Sequence, residues 1–337
     1  MVLMVKNNLF DFATSELSQD AFICWLLNFA HKDHLNEDSV LTECAKNILL
    51  KILPDEPNPI ITRDIKKQYE NIDILIEVNE KYNIIIEDKT FSNVHDDQIN
   101  RYKKILLDKG KSNIKSVYFK IVEQPFEENV DINITRKHLL DIFSAYVNRT
   151  ENVIFKDYYD YLSEIDSDVN SFKNEPIEFW RKKYNHVYKG FFTHLVQNNI
   201  IQTKEDDIIN GKYDWGYVNN RNGGVWVLWW FSIKSDCLNA CNLFEKHISE
   251  LYLQIEDNKI VIKMIGDSQE SQDVRWSLYN YCKNIMPEFE KKVFRKGNHM
   301  TVGYIKYDQN NYCEKIKSME ALMRSIVCGQ YKFETEL

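Results

Sequence analysis

The chain has 337 residues, of which 44% are hydrophobic and 28% are charged, with only 10 Gly and 6 Pro. This length and composition suit a globular protein of two ordinary domains and exclude a largely disordered or fibrous chain. The net charge of −8 argues against a protein that coats nucleic acid through its overall charge.

The charge is unevenly distributed along the chain. Residues 1–165 hold 20 Lys and Arg against 28 Asp and Glu, whereas residues 166–337 hold 23 of each. Within the acidic half, eight basic residues lie between positions 89 and 120, at Lys89, Arg101, Lys103, Lys104, Lys109, Lys111, Lys115 and Lys120. A basic face beside clustered carboxylates is what a metal-dependent site for a polyanion requires, although a solvated lysine-rich helix face explains this feature equally well.

The sequence indicates a cytoplasmic protein with no membrane partner. No apolar run approaches the roughly 18 residues of a membrane span, and the N-terminus MVLMVKNNLFDF is interrupted too early for a secretory signal. The seven cysteines are odd in number and scattered, which favours reduced thiols over a disulfide framework.

The predicted elements of the first part describe a mixed α/β domain over residues 1–165. Thr14 and Ser15 are candidate caps of an amphipathic helix that begins at Glu16. The pattern then predicts a helix over 39–53, a strand over 60–69, hairpin strands over 71–78 and 83–90, a helix over 95–107, a strand over 115–122, and, after a loop, helices over 135–147 and 151–164. Helices around a strand-rich centre favour an α/β sheet flanked by helices.

The second part of the chain has a different pattern of predicted elements. Residues 166–176 are polar, end in Pro176 and are predicted to be a linker. Residues 177–337 then predict an α+β domain of unknown role, with a long helix over 177–200, strands at VWVLWWFSI, SELYLQIE, KIVIKMIG and TVGYIKYD, and helices near 236–248, 270–284 and 312–328. The segment 256–258 between two alternating runs is a hairpin turn signal.

The hairpin of the first domain carries charged residues inside apolar runs. Asp73, Glu87 and Lys89 lie in or beside ILI and III segments, where a charged group costs several kcal/mol unless something binds it. In a hairpin, the residue numbers of each directly opposed pair add to the same sum. The numbers of Asp73 and Glu87 add to 160, so a loop of three or five residues centred on Glu80, or a bulge, places these two residues side by side. A two-residue turn would instead pair Asp73 with Asp88 and place Glu87 on the other face.

Two adjacent carboxylates repel each other unless a cation or a proton lies between them. Hard oxygen ligands with room for water suit Mg²⁺ or Mn²⁺, which can activate a water and stabilise the charge that builds on a phosphate. Lys89 shares the face of Glu87, since side chains two apart on a strand point the same way, and adds a further positive charge. Phosphodiester hydrolysis is the chemistry that uses all three groups.

These residues carry a resemblance to a known superfamily. Asp73, followed by Glu87-Asp88-Lys89, resembles the D…(D/E)-x-K motif of the PD-(D/E)XK nuclease superfamily. Gln98-x-x-x-Tyr102 on the following helix is similar to the Q-x-x-x-Y element of its RecB-type members. One departure is Ile72, which stands where the motif's name has Pro.

The first predicted helix adds to the resemblance. Glu16 with Ser18 and the run FICWLLN resembles the first helix of a PD-(D/E)XK family found in bacterial proteins of poorly defined role, in which the Glu faces the active site. The resemblance covers about residues 10–145 and implies a restriction-endonuclease-like mixed sheet flanked by helices.

The resemblance also implies roles for individual residues. Asp73 and Glu87 would be metal ligands, with the backbone carbonyl of Asp88 as a third, and Lys89 would act on the water or the transition state. Glu16 would ligate or orient a second ion or a water. Gln98 and Tyr102, one helical turn apart, would position the substrate phosphate or brace the site.

The resulting hypothesis is a hydrolase that cleaves nucleic acid with Mg²⁺ or Mn²⁺. DNA is favoured over RNA by the superfamily alone, and a role in restriction or phage defence follows only by analogy; the C-terminal domain could form a homodimer. One alternative is a catalytically silent nucleic-acid-binding or protein-interaction module on the same fold. Another is hydrolysis of a non-nucleic phosphoester, which a closed pocket in place of an open groove would favour.

Overall fold

A computed structural model describes residues 7–89, 97–126, 128–180, 185–219, 224–240, 248–266, 269–291 and 297–327. The chain divides into two compact units, Met1–Asp168 and Val169–Leu337. None of the helices in these described ranges is long and apolar enough to cross a membrane.

A five-stranded mixed sheet forms the centre of the first unit. Its strands are β1 (Thr62–Tyr69), β2 (Ile72–Val78), β3 (Tyr82–Lys89), β4 (Ile114–Lys120) and β5 (Ile132–Thr135). They lie in chain order; β1, β2 and β3 pair antiparallel, whereas β3, β4 and β5 pair parallel. The predicted α/β fold with a mixed sheet flanked by helices is therefore confirmed.

Helices cover both faces of this sheet. They are α1 (Glu16–Asn28), α2 (Ser39–Ile52), α3 (Gln98–Asp108), α4 (Arg136–Phe143) and α5 (Val153–Asn170). The predicted cap Ser15 accepts a hydrogen bond from the Ser18 N–H and starts α1, and Asp38 caps α2 in the same way. α1 packs on β1, β2 and β3, and its Phe22 ring stacks on Tyr158 of α5. α3 lies on the other face, where its apolar side chains pack on those of β2 and β3 through Ile72, Leu75, Ile85, Ile99, Tyr102 and Leu106.

The hairpin between β2 and β3 has the predicted register. Ile74 pairs with Ile86, and Val78 pairs with Tyr82, which leaves a three-residue loop at 79–81. Asn79 and Glu80 adopt positive φ angles of 54° each, and this left-handed pair lets so short a loop close. The alternating isoleucines of the hairpin are fully buried, so a shift of one residue would move them to the other face.

Two predictions for the first unit were wrong. Ile132–Thr135, predicted to be loop, forms β5, a four-residue strand too short to show a clear alternating pattern. α5 continues to Asn170, so part of the predicted linker at 166–176 is helical, and residues 171–173 form a short 3₁₀ helix. The predicted start of α3 at His95 falls outside the described residues.

The second unit is built on an antiparallel sheet. Its strands are β6 (Asp214–Val218), β7 (Val225–Trp230), β8 (Ile248–Glu256), β9 (Lys259–Gly266) and β10 (His299–Lys306), in the order β10-β9-β8-β7-β6. Its helices are α6 (Ile177–Trp180), α7 (His186–Gln197), α8 (Ser235–Ala240), α9 (Gln269–Ile285) and α10 (Tyr312–Ser325). Helices α7, α9 and α10 share one hydrophobic core with the sheet.

The second unit follows most of the sequence expectations. Glu256 pairs with Lys259 across a two-residue turn, as the turn signal at 256–258 predicted. β6 was not predicted, because DWGYV is short and contains a glycine. The predicted helix over 177–200 is described as α6 and α7, with residues 181–184 outside the described ranges.

Candidate active site

The register of the hairpin brings Asp73 and Glu87 together. Asp73 precedes Ile74, which pairs with Ile86, so Asp73 lies opposite Glu87 on the face that α3 covers. Lys89 follows two residues later on the same face. Its Nζ lies 2.6 Å from Glu87 Oε1 and 3.6 Å from Asp73 Oδ2.

Glu16 reaches the same ammonium group from α1. It is the first residue of that helix, and its Oε2 lies 3.8 Å from Lys89 Nζ. The exposed fraction of the side chain is 0% for Glu87, 12% for Lys89, 18% for Asp73 and 36% for Glu16. The cluster is therefore closed at Glu87 and accessible from the side of Glu16 and Asp73.

The helix α3 closes over this face, as the sequence predicted. Gln98 donates from Nε2 to Glu87 Oε1 at 2.8 Å and to the Tyr102 hydroxyl at 2.6 Å. The Tyr102 hydroxyl in turn donates to the backbone carbonyl of Asn71, in the turn that precedes Asp73. The two residues thus connect α3 to both carboxylate-bearing strands.

The backbone of Asp88 is part of the site, but its side chain lies on the opposite face of the sheet. Its N–H donates to Asp73 Oδ2 at 3.1 Å. Its side chain points to the opposite face of the sheet, as alternation along a strand requires, where it accepts a hydrogen bond from Gln19 of α1. The predicted role of the Asp88 carbonyl as a metal ligand stays a prediction.

The electrostatics of the cluster are those of crowded carboxylates. Burial raises the pKa of Glu87 to about 7; Asp73 adds to the rise and Lys89 opposes it. Burial alone would lower the pKa of Lys89, but its hydrogen bond to Glu87 and the nearby negative charges outweigh burial and raise that pKa. One ammonium thus faces three carboxylates, at Glu16, Asp73 and Glu87, and offsets part of their negative charge.

One carboxylate oxygen of the cluster is left for a ligand. Glu87 Oε2 is buried and has no hydrogen-bond partner within the described part of the chain. In the same ranges, no three His, Cys, Asp or Glu side chains come together as a complete metal centre. Mg²⁺ is commonly held by only one or two protein carboxylates and keeps several waters, so Asp73 and Glu87 are the residues that could hold such an ion.

Three polar residues beside the site were not predicted. Gln68 of β1 donates from Nε2 to Asp73 Oδ1 at 3.2 Å and to Asp20 Oδ2 of α1 at 3.3 Å. Asp20 is buried beside the carboxyl group of Asp88, and Gln19 donates to that same carboxyl. Burial, together with Asp73, raises the pKa of Asp20 to about 6.

The sequence held a signal for two of these residues. Asp20 follows Glu16 by four residues and so lies on the same side of α1. A two-residue turn at 70–71 would set Gln68 opposite Asp73, and the observed pairing of Tyr69 with Ile72 has this register.

Comparison with known protein families identifies the superfamily of this chain. A model of the PD-(D/E)XK nuclease superfamily matches residues 7–186, which is more than half of the chain. Neither a search of curated proteins nor a search of solved structures found a match.

Proposed function

The chain belongs to the PD-(D/E)XK nuclease superfamily, and on that premise we propose that its first unit is a divalent-metal-dependent nuclease that hydrolyses nucleic-acid phosphodiesters. The superfamily comprises nucleases in general and typically uses divalent metals. The observation that carries the proposal is the convergence of the carboxylates of Glu16, Asp73 and Glu87 on the ammonium group of Lys89, within 3.8 Å of Nζ in each case.

Asp73 and Glu87 are the proposed metal ligands, with the Asp88 carbonyl as a third and Glu16 as a ligand or orienting group for a second ion or a water. The unpartnered Glu87 Oε2 and the opposed carboxylates fit Mg²⁺ or Mn²⁺, both of which prefer oxygen ligands. When bound, such an ion supplies a nucleophilic water at neutral pH and stabilises charge on the phosphate oxygens.

The side chains around the ligands perform the remaining tasks. Lys89 orients the attacking water and offsets negative charge on the scissile phosphate, because its ammonium group lies among the carboxylates and is largely removed from solvent. Gln98 fixes the orientation of Glu87, and Tyr102 ties α3 to the turn before Asp73. Together they position the substrate phosphate or brace the site.

DNA is the proposed substrate, by the superfamily's general preference, and restriction or phage defence is the proposed setting, by analogy. The opening on the side of Glu16 and Asp73 supports a polymeric substrate over a small phosphoester enclosed in a pocket. A homodimer through the second unit is a further hypothesis, which sedimentation of the full chain would test.

The test is cleavage of plasmid DNA, single-stranded DNA and RNA with Mg²⁺ or Mn²⁺ by the wild type and by Lys89→Ala. Lys51→Ala, which replaces an exposed lysine at the end of α2, is the matched control. We expect cleavage by the wild type and the control but not by Lys89→Ala. Metal-independent binding with no Lys89-dependent cleavage of any of the three would favour the silent binding module instead.

A further inference from the structure

Both carboxylate oxygens of Asp73 are held by hydrogen bonds within the first unit. Oδ1 accepts from Gln68 Nε2 at 3.2 Å, and Oδ2 accepts from the Asp88 N–H at 3.1 Å. The second donor is a backbone N–H of a central strand, which no substitution removes without breaking the strand. The first is a side chain on the edge strand β1, so it is the one donor of the two that mutation can remove.

The backbone places Gln68 where this contact can form. Lys67 pairs with Ile74 and Tyr69 pairs with Ile72, so Gln68 faces Asp73 across the strand pair. Gln68 has a positive φ angle of 53°, a left-handed conformation that costs a non-glycine residue about 1–2 kcal/mol. This conformation turns an exposed edge residue toward the end of the sheet, where α1 and the site face both come within reach.

The amide of Gln68 separates two carboxylates that would otherwise repel each other. Its nitrogen carries two hydrogens, and its two acceptors are Asp73 Oδ1 and Asp20 Oδ2, the latter at 3.3 Å. Asp20 is 1% exposed, so it cannot turn toward solvent to relieve the repulsion. An amide that donates to both groups fixes the rotamer of Asp73 and keeps its carboxylate directed at Glu87.

We propose that Gln68 is a positioning residue, which orients Asp73 for metal binding through the hydrogen-bonded bridge Asp73–Gln68–Asp20. This inference rests on the proposed function, because it takes Asp73 to be a metal ligand. Groups that hold a metal ligand by hydrogen bonds commonly change metal affinity 10–100-fold when they are removed. Gln68 is exposed and fills no part of the core, so its loss leaves no cavity and should act mainly on the two carboxylates that it bridges.

The experiment measures Mn²⁺ binding directly, by calorimetry or by the electron paramagnetic resonance signal of the free ion. It uses the full chain without nucleic acid, as wild type, Gln68→Met, Gln68→Ala and Asp73→Asn. Gln68→Met keeps the length of the side chain and removes only the amide, whereas Gln68→Ala removes both. Gln197→Met, at an exposed position of α7, is the control for the substitution itself.

We expect both Gln68 variants to weaken Mn²⁺ binding about 10-fold or more, while they stay folded in the absence of metal with a somewhat lower thermal midpoint, because the buried Asp20 loses a hydrogen bond. In cleavage assays the same variants should need more Mn²⁺ for half-maximal rate and approach the wild-type rate at saturation. Binding by Gln68→Met that equals the wild type, while Asp73→Asn loses binding, would overturn the inference and leave the proposed function intact. Binding that is the same in the wild type and in Asp73→Asn would instead refute the proposed ligand.

Discussion

Replacement of Lys89 by Met should separate metal binding from catalysis. Lys89 Nζ lies 2.6 Å from Glu87 Oε1 and 3.6 Å from Asp73 Oδ2, so it is paired with the two carboxylates that we assign to the metal. The methionine side chain has a similar length but no charge, so it keeps the packing at this 12%-exposed position and frees both carboxylates. We therefore expect the variant to bind Mn²⁺ more tightly than the wild type and to cleave far more slowly.

The magnitude follows from the distances. A unit charge pair at 3.6 Å interacts with about 5 kcal/mol at an effective dielectric constant of about 20, and this attraction now holds the carboxylates on the ammonium. Removal of Lys89 makes this attraction unavailable to compete with the metal. If solvent screening and relaxation of the site reduce the resulting gain in the free energy of Mn²⁺ binding to about 1.4 kcal/mol, the affinity for Mn²⁺ still rises about tenfold. The loss of a charged group that stabilises the transition state typically lowers the rate about 10²–10³-fold.

The assay pairs calorimetric Mn²⁺ titration with single-turnover cleavage at saturating Mn²⁺. A pH near 8.5 is suitable, because burial raises the pKa of Glu87 to about 7 and removal of Lys89 would raise that pKa further. Weaker binding together with slower cleavage would refute the reasoning, since Lys89 would then serve to assemble the carboxylates. Unchanged cleavage would refute its role in the chemistry.

Three further predictions concern the scaffold. Deletion of Glu80 should abolish Mn²⁺-dependent cleavage, because a two-residue turn between β2 and β3 places Glu87 on the other face; full activity would show that a bulge restores the register. Arg136 is 5% exposed and hydrogen-bonded to Glu123. Arg136→Ala should therefore lower the free energy of unfolding in denaturant by about 3 kcal/mol, and Arg136→Lys should not restore that stability. A loss below about 1 kcal/mol for Arg136→Ala would contradict this prediction. Burial would raise the pKa of Asp131, but hydrogen bonds from the side chain and N–H of the facing serine of β4 and from a lysine of α3 lower it to about 2, below its ordinary value of 3.8. Asp131 therefore stabilises the fold above about pH 4 and loses this effect as the pH falls toward 2. Asp131→Asn should lower the free energy of unfolding by about 1 kcal/mol at pH 7, after allowance for the partial exposure of Asp131. If thermal melts of the wild type and of Asp131→Asn show equal sensitivity to acid, this role of Asp131 is ruled out.

The hairpin register could be predicted because two independent constraints agree. The apolar alternation of β2 and β3 requires Ile74, Ile76, Ile84 and Ile86 to share a buried face, and all four are 0% exposed. The chemistry of two carboxylates requires Asp73 and Glu87 to share the other face. A sum of 160 satisfies both and also sets the two carboxylates directly opposite each other. It allows a loop of three or five residues, and the structure has the three-residue loop.

The bridge through Gln68 could not be predicted in the same way. It depends on a left-handed residue inside a strand, and no local pattern in KKQYEN selects that conformation for Gln68. It also depends on the side of the sheet that α1 covers, which the hydrophobic periodicity of α1 does not specify. The short strands β5 and β6 were missed for a related reason: four or five residues show too little alternation to outweigh the neighbouring loop signals.

The charges of the site explain why the fold tolerates the carboxylates of Glu16, Asp73 and Glu87 so close together. Three carboxylates converge on Lys89, and Glu87, at 0% exposure, has a pKa of about 7, so near neutral pH it is poised between the neutral and the charged form. A divalent cation that binds Glu87 must displace this proton, and metal binding should therefore strengthen as the pH rises through 7. Because Gln68 acts on Asp73 and not on Glu87, its replacement should weaken Mn²⁺ binding by the same factor on either side of that pH. Replacement of Lys89 should instead shift the pH at which Mn²⁺ binding strengthens to higher values, since Lys89 now lowers the pKa of Glu87.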